Sequence, residues 1–87
     1  MSDAWSWDYV PSGEHVVDGL PAEVVAEVER LAEQLAVLGP DALHVGSGRL
    51  DGGGLRALDI FGGRGFFMFL AHERLRLVAI TQVTWTG

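Results

Sequence analysis

Residues 55–85 read LRALDIFGGRGFFMFLAHERLRLVAITQVTW, and this stretch decides the fold. It holds three strand candidates, Leu55 to Phe61, Phe66 to Ala71 and Leu75 to Trp85, separated by Gly62-Gly63-Arg64-Gly65 and by Glu73-Arg74. Runs of this length, rich in aromatic and β-branched residues and bounded by turn-forming residues, predict a three-stranded antiparallel meander. If Phe61 pairs with Phe66 and His72 with Leu75, one face carries Leu58, Ile60, Phe67, Phe69, Val78 and Ile80, with Arg56 and Arg76 beside Ala71. The other face carries Leu55, Ala57, Phe61, Phe66, Met68, Leu70, Leu77, Ala79, Val83 and Trp85, with Asp59 among them. Both faces are apolar. A slip of one residue at Glu73-Arg74 would exchange the faces of the last strand, since neither residue favours a primed turn.

Upstream of the meander, in Trp5-Ser6-Trp7-Asp8-Tyr9-Val10, large aromatics alternate with small or charged residues, which predicts a half-buried strand over 5–10 ended by Pro11 and Gly13. Residues 12–19 read as a loop. Pro21 suits a first helical turn, and Gly39-Pro40 supplies a left-handed cap and a stop, so a helix is expected over 21–38. Its apolar stripe is Val24, Val28, Leu31, Leu35 and Leu38, widened by Val25 and Ala32. Glu23, Glu27, Glu29 and Glu33 form an acidic outer face, either solvated or a dock for a basic partner. The glycine-rich stretch 43–54 leads into a strand rather than opening a helix, so it is a loop and not a phosphate-binding motif.

The expected fold class is therefore α+β: one domain over residues 1–87, with a small antiparallel sheet of about four strands packed against one long helix. The sheet combines the N-terminal strand with the C-terminal meander. One helix covers one sheet face, so the second needs the N-terminal segment, another copy of the chain or a different protein. Phe66, Met68, Leu70, Leu77 and Trp85 are the expected interface residues. The partner is then a second copy in a homo-oligomer or another protein.

Composition limits the function classes. The 87 residues are 48% hydrophobic and 21% charged, too apolar for a disordered segment. There is no Cys, hence no disulfide, thiolate nucleophile or Cys-based zinc site, which suits a reducing cytoplasm. The longest apolar run, Phe66 to Ala71, is far below the roughly 20 residues of a membrane span, and Met-Ser-Asp-Ala lacks the basic start of a signal peptide. A soluble, cytoplasmic protein with no membrane association is expected. The net charge of -6 argues against unspecific binding to phosphate backbones. The charge is uneven, however: residues 1–42 hold nine acids against Arg30, whereas residues 43–87 hold Arg49, Arg56, Arg64, Arg74 and Arg76 against Asp51, Asp59 and Glu73. An anion site, if there is one, lies in the second half; the alternative is a set of solvated arginines around a sheet.

No catalytic motif names a reaction. His15, His44 and His72 show no metal-ligand spacing, and neither a metal nor a cofactor is expected. His72, next to Glu73 and Arg74, is the best placed for acid–base work beside a phosphate held by Arg56 or Arg76. Ser12 and Ser47 lack a nucleophile elbow. Asp59 within an apolar strand is expected to pair with Arg64 or Arg56, or to keep its proton.

The order strand Trp5 to Val10, helix Pro21 to Leu38, Gly54-Leu55-Arg56-Ala57-Leu58, turn Gly63-Arg64-Gly65 into Phe66-Phe67-Met68-Phe69, and last strand Leu75 to Val83 resembles the RelE/ParE superfamily of bacterial toxins. The likeness spans most of the chain at the level of pattern. In that family a Gly-Leu-x-x-Leu-Arg type strand precedes an Arg-x-x-Tyr type strand, and ribosome-dependent members cut messenger RNA with basic and aromatic side chains. Arg56 looks like the arginine of the first of these strands and Arg64 like a displaced form of the second. The resemblance implies an antitoxin-like protein partner covering apolar and basic surface, or an RNA and ribosome partner. On the ribonuclease reading, His72, Arg56 and Arg76 are catalytic, and Arg64, Arg74 and Arg49 hold the RNA. The chain has no Lys and a single Tyr, Tyr9, and lacks the family's usual second helix. These departures favour a noncatalytic or weakly active relative that acts through a protein partner or by homodimerisation.

Overall fold

A computed structural model describes residues 4–48 and 54–87. The chain runs β1 (Ser6–Tyr9), α1 (Gly13–Val17), α2 (Ala22–Leu38), a 3-10 turn (Gly39–His44), β2 (Leu55–Ile60), a short 3-10 turn (Phe61–Gly63), β3 (Gly65–His72) and β4 (Leu77–Trp85). The fold is α+β, with one long helix on a four-stranded sheet of order β1-β4-β3-β2. The meander is antiparallel, but β1 runs parallel to β4, with Ser6 to Tyr9 opposite Leu77 to Ile80. The sheet is thus mixed, where an antiparallel one was expected. Apolar alternation reports which side of a strand is buried and carries no information about strand direction. The segment read as the loop 12–19 contains α1, capped by Ser12, whose hydroxyl accepts the His15 N–H at 3.2 Å.

Helix α2 buries Val24, Val28, Ala32, Leu35 and Ala36. The contact line passes through Ala32 rather than Leu38, because a small residue lets the helix approach the sheet and Leu38 lies past the sheet's end, 43% exposed. Against it lie Tyr9, Ile60, Phe67, Phe69, Ala71, Val78 and Ile80, the inward side chains of all four strands apart from half-buried neighbours. Gly39 ends the helix at φ 62°, its N–H donating to the Leu35 and Ala36 carbonyls. A Cβ there would stand 3.2 Å from the Trp5 indole, so glycine serves both the backbone turn and the packing of Trp5.

The register settles the two faces. Ile60 pairs with Gly65 and His72 with Leu77, each two residues from the expected pairing; the even shift moves Phe61, Leu75 and Arg76 into turns and leaves the strand side chains as far as Ile80 on their expected sides. The β3–β4 turn takes four residues, Glu73 to Arg76, with Arg76 in the left-handed region at φ 49°. A bulge at Thr81 then moves the pairing by one: Phe69 faces Ile80, but Met68 faces Gln82. Val83 and Trp85 consequently turn to the helix side and pack on the core, where they were expected on the opposite face.

Candidate functional site

The face of the sheet away from the helices is uncovered among the described residues. Pairing places Asp8, Ala79, Leu70 and Leu55 in one row across the four strands, with Ser6, Leu77 and His72 in the next. Gln82, Met68 and Ala57 form a third row, and Thr84, Phe66 and Asp59 a fourth. The apolar ground runs diagonally from Leu77 and Ala79 through Leu70, Met68 and Phe66 to Leu55 and Ala57. Phe66, Met68, Leu70 and Leu77 are half-buried, Ala79 is buried and Leu55 is exposed. None of them belongs to the core cluster under the helices. The charges of this face, Asp8 and Asp59, sit on its two edge strands.

Four of the five expected interface residues, Phe66, Met68, Leu70 and Leu77, share this surface. Trp85 does not. It packs from the other side, its ring edge-on to Phe61 at 5.5 Å between centroids and beneath the Arg64 guanidinium at 5.8 Å.

The residues expected to act on RNA are dispersed. Arg56 points to the helix side and is 8% exposed. Its Nε donates to the Val45 carbonyl at 3.2 Å, Nη1 to Gly48 at 2.8 Å and Nη2 to Gly46 at 2.8 Å. The side chain thereby ties the glycine-rich loop to β2, a bond pattern that leaves little of the guanidinium for a phosphate. Arg64 lies in the β2–β3 turn, its Nη2 donating to the Gly87 oxygen at 2.6 Å. His72, Arg74 and Arg76 gather at the other end of β3. The eight residues of that strand separate the two groups by about 23 Å, too far to hold one phosphate together. His72 Nδ1 accepts the Leu75 N–H at 3.3 Å and so stabilises the turn. Arg49 lies outside the described residues. Asp59 is exposed on the open face, and Arg56, three residues earlier in the strand, necessarily points the opposite way, so the expected pairing between them does not form.

Two carboxylates of the helix read from sequence as a solvated or docking acidic face do something else. Glu33 Oε1 accepts the Trp7 indole N–H at 2.9 Å, and Glu29 Oε2 accepts the Tyr9 hydroxyl at 2.9 Å. Trp7 and Tyr9 stand edge-to-face at 5.0 Å. Burial, then the Glu29 hydrogen bond and its negative charge, push the Tyr9 phenol well above the usual tyrosine range. Alternating aromatics on β1 and glutamates four apart on α2 were the available signal. On the helix's outer side, Glu27 and Arg30 pair at 2.7 Å, and the guanidinium's hydrogen bond holds the Glu27 carboxyl below its ordinary value.

On the edge of the sheet, the Asp8 carboxylate accepts the Tyr9 backbone N–H at 2.8 Å. That bond occupies an outward donor of β1 and blunts the edge against strand addition. A cleft of about 670 Å³ opens beside the C-terminal end of α2, between Trp5, Val37, Pro40 and the β3–β4 turn. Among the described residues no three His, Asp or Glu side chains stand together as a metal site, and no helix is long and apolar enough to cross a membrane. No family model, no curated protein and no solved structure matches the chain.

Proposed function

We propose that this protein is a noncatalytic binding module that works by placing its open sheet face against the same face of a second copy. The uncovered apolar diagonal centred on Leu70 and Met68 carries the reading. Among the described residues the centre of that face holds no charge, so two copies stack Phe, Met and Leu on one another and leave Asp8 and Asp59 at the margins. Small residues, Ala57 and Ala79, alternate with the large ones, which suits interdigitation of two sheets about 10 Å apart. Four strands about 4.8 Å apart and some 20 Å long give a footprint of roughly 400 Å² in plan, about half of the roughly 800 Å² per partner of a standard interface and in the size class of weak, transient contacts. The dimer is accordingly reversible and concentration-dependent.

The RelE/ParE-like resemblance, with its expectation of a partner on an apolar surface, accords with this use of the sheet in a cytoplasmic protein. Messenger RNA cleavage is the second reading, favoured by His72, Arg74 and Arg76 meeting at one turn. Two observations weigh against it: Arg56 is committed to three carbonyls, and the open face presents aspartates rather than cations.

Sedimentation over a concentration series tests the proposal. The wild-type chain is expected to pass from monomer to dimer with increasing concentration, and Met68→Arg to stay monomeric with an unchanged far-UV spectrum, because Met68 points away from the core. A wild-type chain that remains monomeric into the millimolar range overturns it. Growth arrest on expression without a companion, relieved by Arg74→Ala with Arg76→Ala, would establish the ribonuclease reading instead.

A further inference from the structure

The cleft at the end of α2 has no part in the proposed dimer. It is built on the helix side, from the last turn of α2, the residues that lead into β1 and the β3–β4 turn. Its volume of about 670 Å³ lies within the range of small ligand sites. Its apolar wall is Trp5, Val37, Leu38 and Pro40. Val37 is 86% exposed and Leu38 43%, so these side chains contribute little to the protein's own core. Trp5 is seated by Gly39, whose lack of a Cβ lets the indole lie against the helix end.

The polar rim has one dominant sign. Glu33 and Glu73 line the cleft, and the last turn of α2 carries no basic residue to offset the negative end of the helix dipole. Among the described lining residues the rim sets two carboxylates, Glu33 and Glu73, against one guanidinium, Arg76, and so keeps a net negative charge. An apolar wall under an acidic rim is complementary to a segment that offers an aliphatic side chain beside a guanidinium or ammonium group. A free inorganic anion or an acidic peptide is repelled by the same rim.

We infer that this cleft is a docking site for a basic, aliphatic peptide segment of a partner protein, with the aliphatic residue against Trp5 and Val37 and the cation at Glu73 and Glu33. The site is independent of the open sheet face, so one protein can dimerise and hold a partner together.

Nitrogen-15 NMR of the full chain tests it with a short, blocked peptide of alternating leucine and arginine, and with its leucine–glutamate counterpart. The arginine peptide is expected to shift the Trp5 indole N–H resonance saturably, and the glutamate peptide to leave it in place. Glu73→Gln is expected to weaken binding roughly three-fold, the scale of a rim charge. Val37→Ser, at a position too exposed to affect folding, should weaken it further. Three results overturn the inference: no shift of Trp5, equal binding of both peptides, or shifts confined to the amides of Leu70 and Met68 on the open face. Binding of arginine amide alone as tightly as the peptide also overturns it, since the cleft would then be a small-cation site.

Discussion

The Tyr9 hydroxyl donates to Glu29 Oε2 at 2.9 Å, and this bond, one rung from the Trp7–Glu33 bond of the same length, sets α2 over β1. Two residues along a strand advance about 6.6 Å and four along a helix about 6.0 Å, so an i,i+2 pair on one element meets an i,i+4 pair on the other. The two bonds also offset part of the like-charge repulsion between Glu29 and Glu33, since each carboxylate gains a donor.

Tyr9→Phe is expected to cost about 1.5 kcal/mol in urea unfolding, the low end of the scale for a hydrogen bond to a charged group because this one is only partly buried. Glu33→Gln, at an exposed bond, should cost less. A double-mutant cycle of Tyr9→Phe with Glu29→Gln should show coupling; additive losses would mean that the bond contributes nothing to stability.

Alkaline titration isolates the same pair. The protein has one tyrosine, no cysteine and no lysine, so tyrosinate absorbance between pH 9 and 12 reports Tyr9 alone. Its folded-state pKa is raised. Above the ordinary value of about 10 the unfolded chain loses this proton while the folded chain keeps it, so stability is complete below pH 10 and falls as pH rises beyond it. Absorbance should therefore rise together with unfolding, and Tyr9→Phe should flatten the alkaline limb. Tyrosinate appearing near pH 10 with the fold intact would refute this.

Arg56→Ala should destabilise the chain by roughly 3 kcal/mol, because three carbonyls of the glycine-rich loop lose a charged donor at once in a mostly buried place. Arg56→Lys recovers only a fraction, an ammonium being unable to span all three. Chemical denaturation measures both. Arg74→Ala, on an exposed turn, is the control, with a change below about 0.5 kcal/mol expected.

Two glycines with positive φ separate space from backbone strain. A Cβ on Gly46 (φ 81°) would stand 2.3 Å from the Ala57 carbonyl oxygen, whereas one on Gly62 (φ 68°) meets nothing within 4 Å. Gly62→Ala should cost about 1 kcal/mol, the left-handed penalty alone. Gly46→Ala should cost clearly more and break the Ser47–Ala57 bridge, visible as faster amide exchange at Ala57.

Salt reads the nature of the partner. Two copies each carrying a charge of -6 repel at long range, so dimerisation through the apolar face should strengthen modestly as salt rises. The basic peptide at the α2 cleft should weaken over the same range. Dimerisation that salt abolishes would mean that ion pairs, and not the apolar diagonal, hold the copies together.

Much of the architecture is legible in the residues themselves. The runs around Phe67 and Ile80 and the stripe from Val24 to Leu35 announce three strands and a helix through their periods, and Gly39-Pro40 marks the helix end. The two apolar faces are legible as well, and even register shifts at both turns left the assignments at Phe66, Met68, Leu70 and Leu77 intact. The role of Arg56 was not. An arginine on a strand reads as an anion ligand or a solvated charge, and nothing local records that three loop carbonyls from residues 45–48 converge on it.

From the chain alone come the four strands, the long helix, and the surplus of apolar side chains over the one face a helix can cover, because period and composition are properties of neighbouring residues; the short helix α1 was not among them. Tertiary structure alone decided that β1 joins β4 in parallel, that a bulge at Thr81 turns Trp85 inward, and that Glu29 and Glu33 receive Tyr9 and Trp7. Each of these depends on which distant segments meet and at what offset, and a single unpaired residue in one strand is enough to change the side on which every later side chain lies.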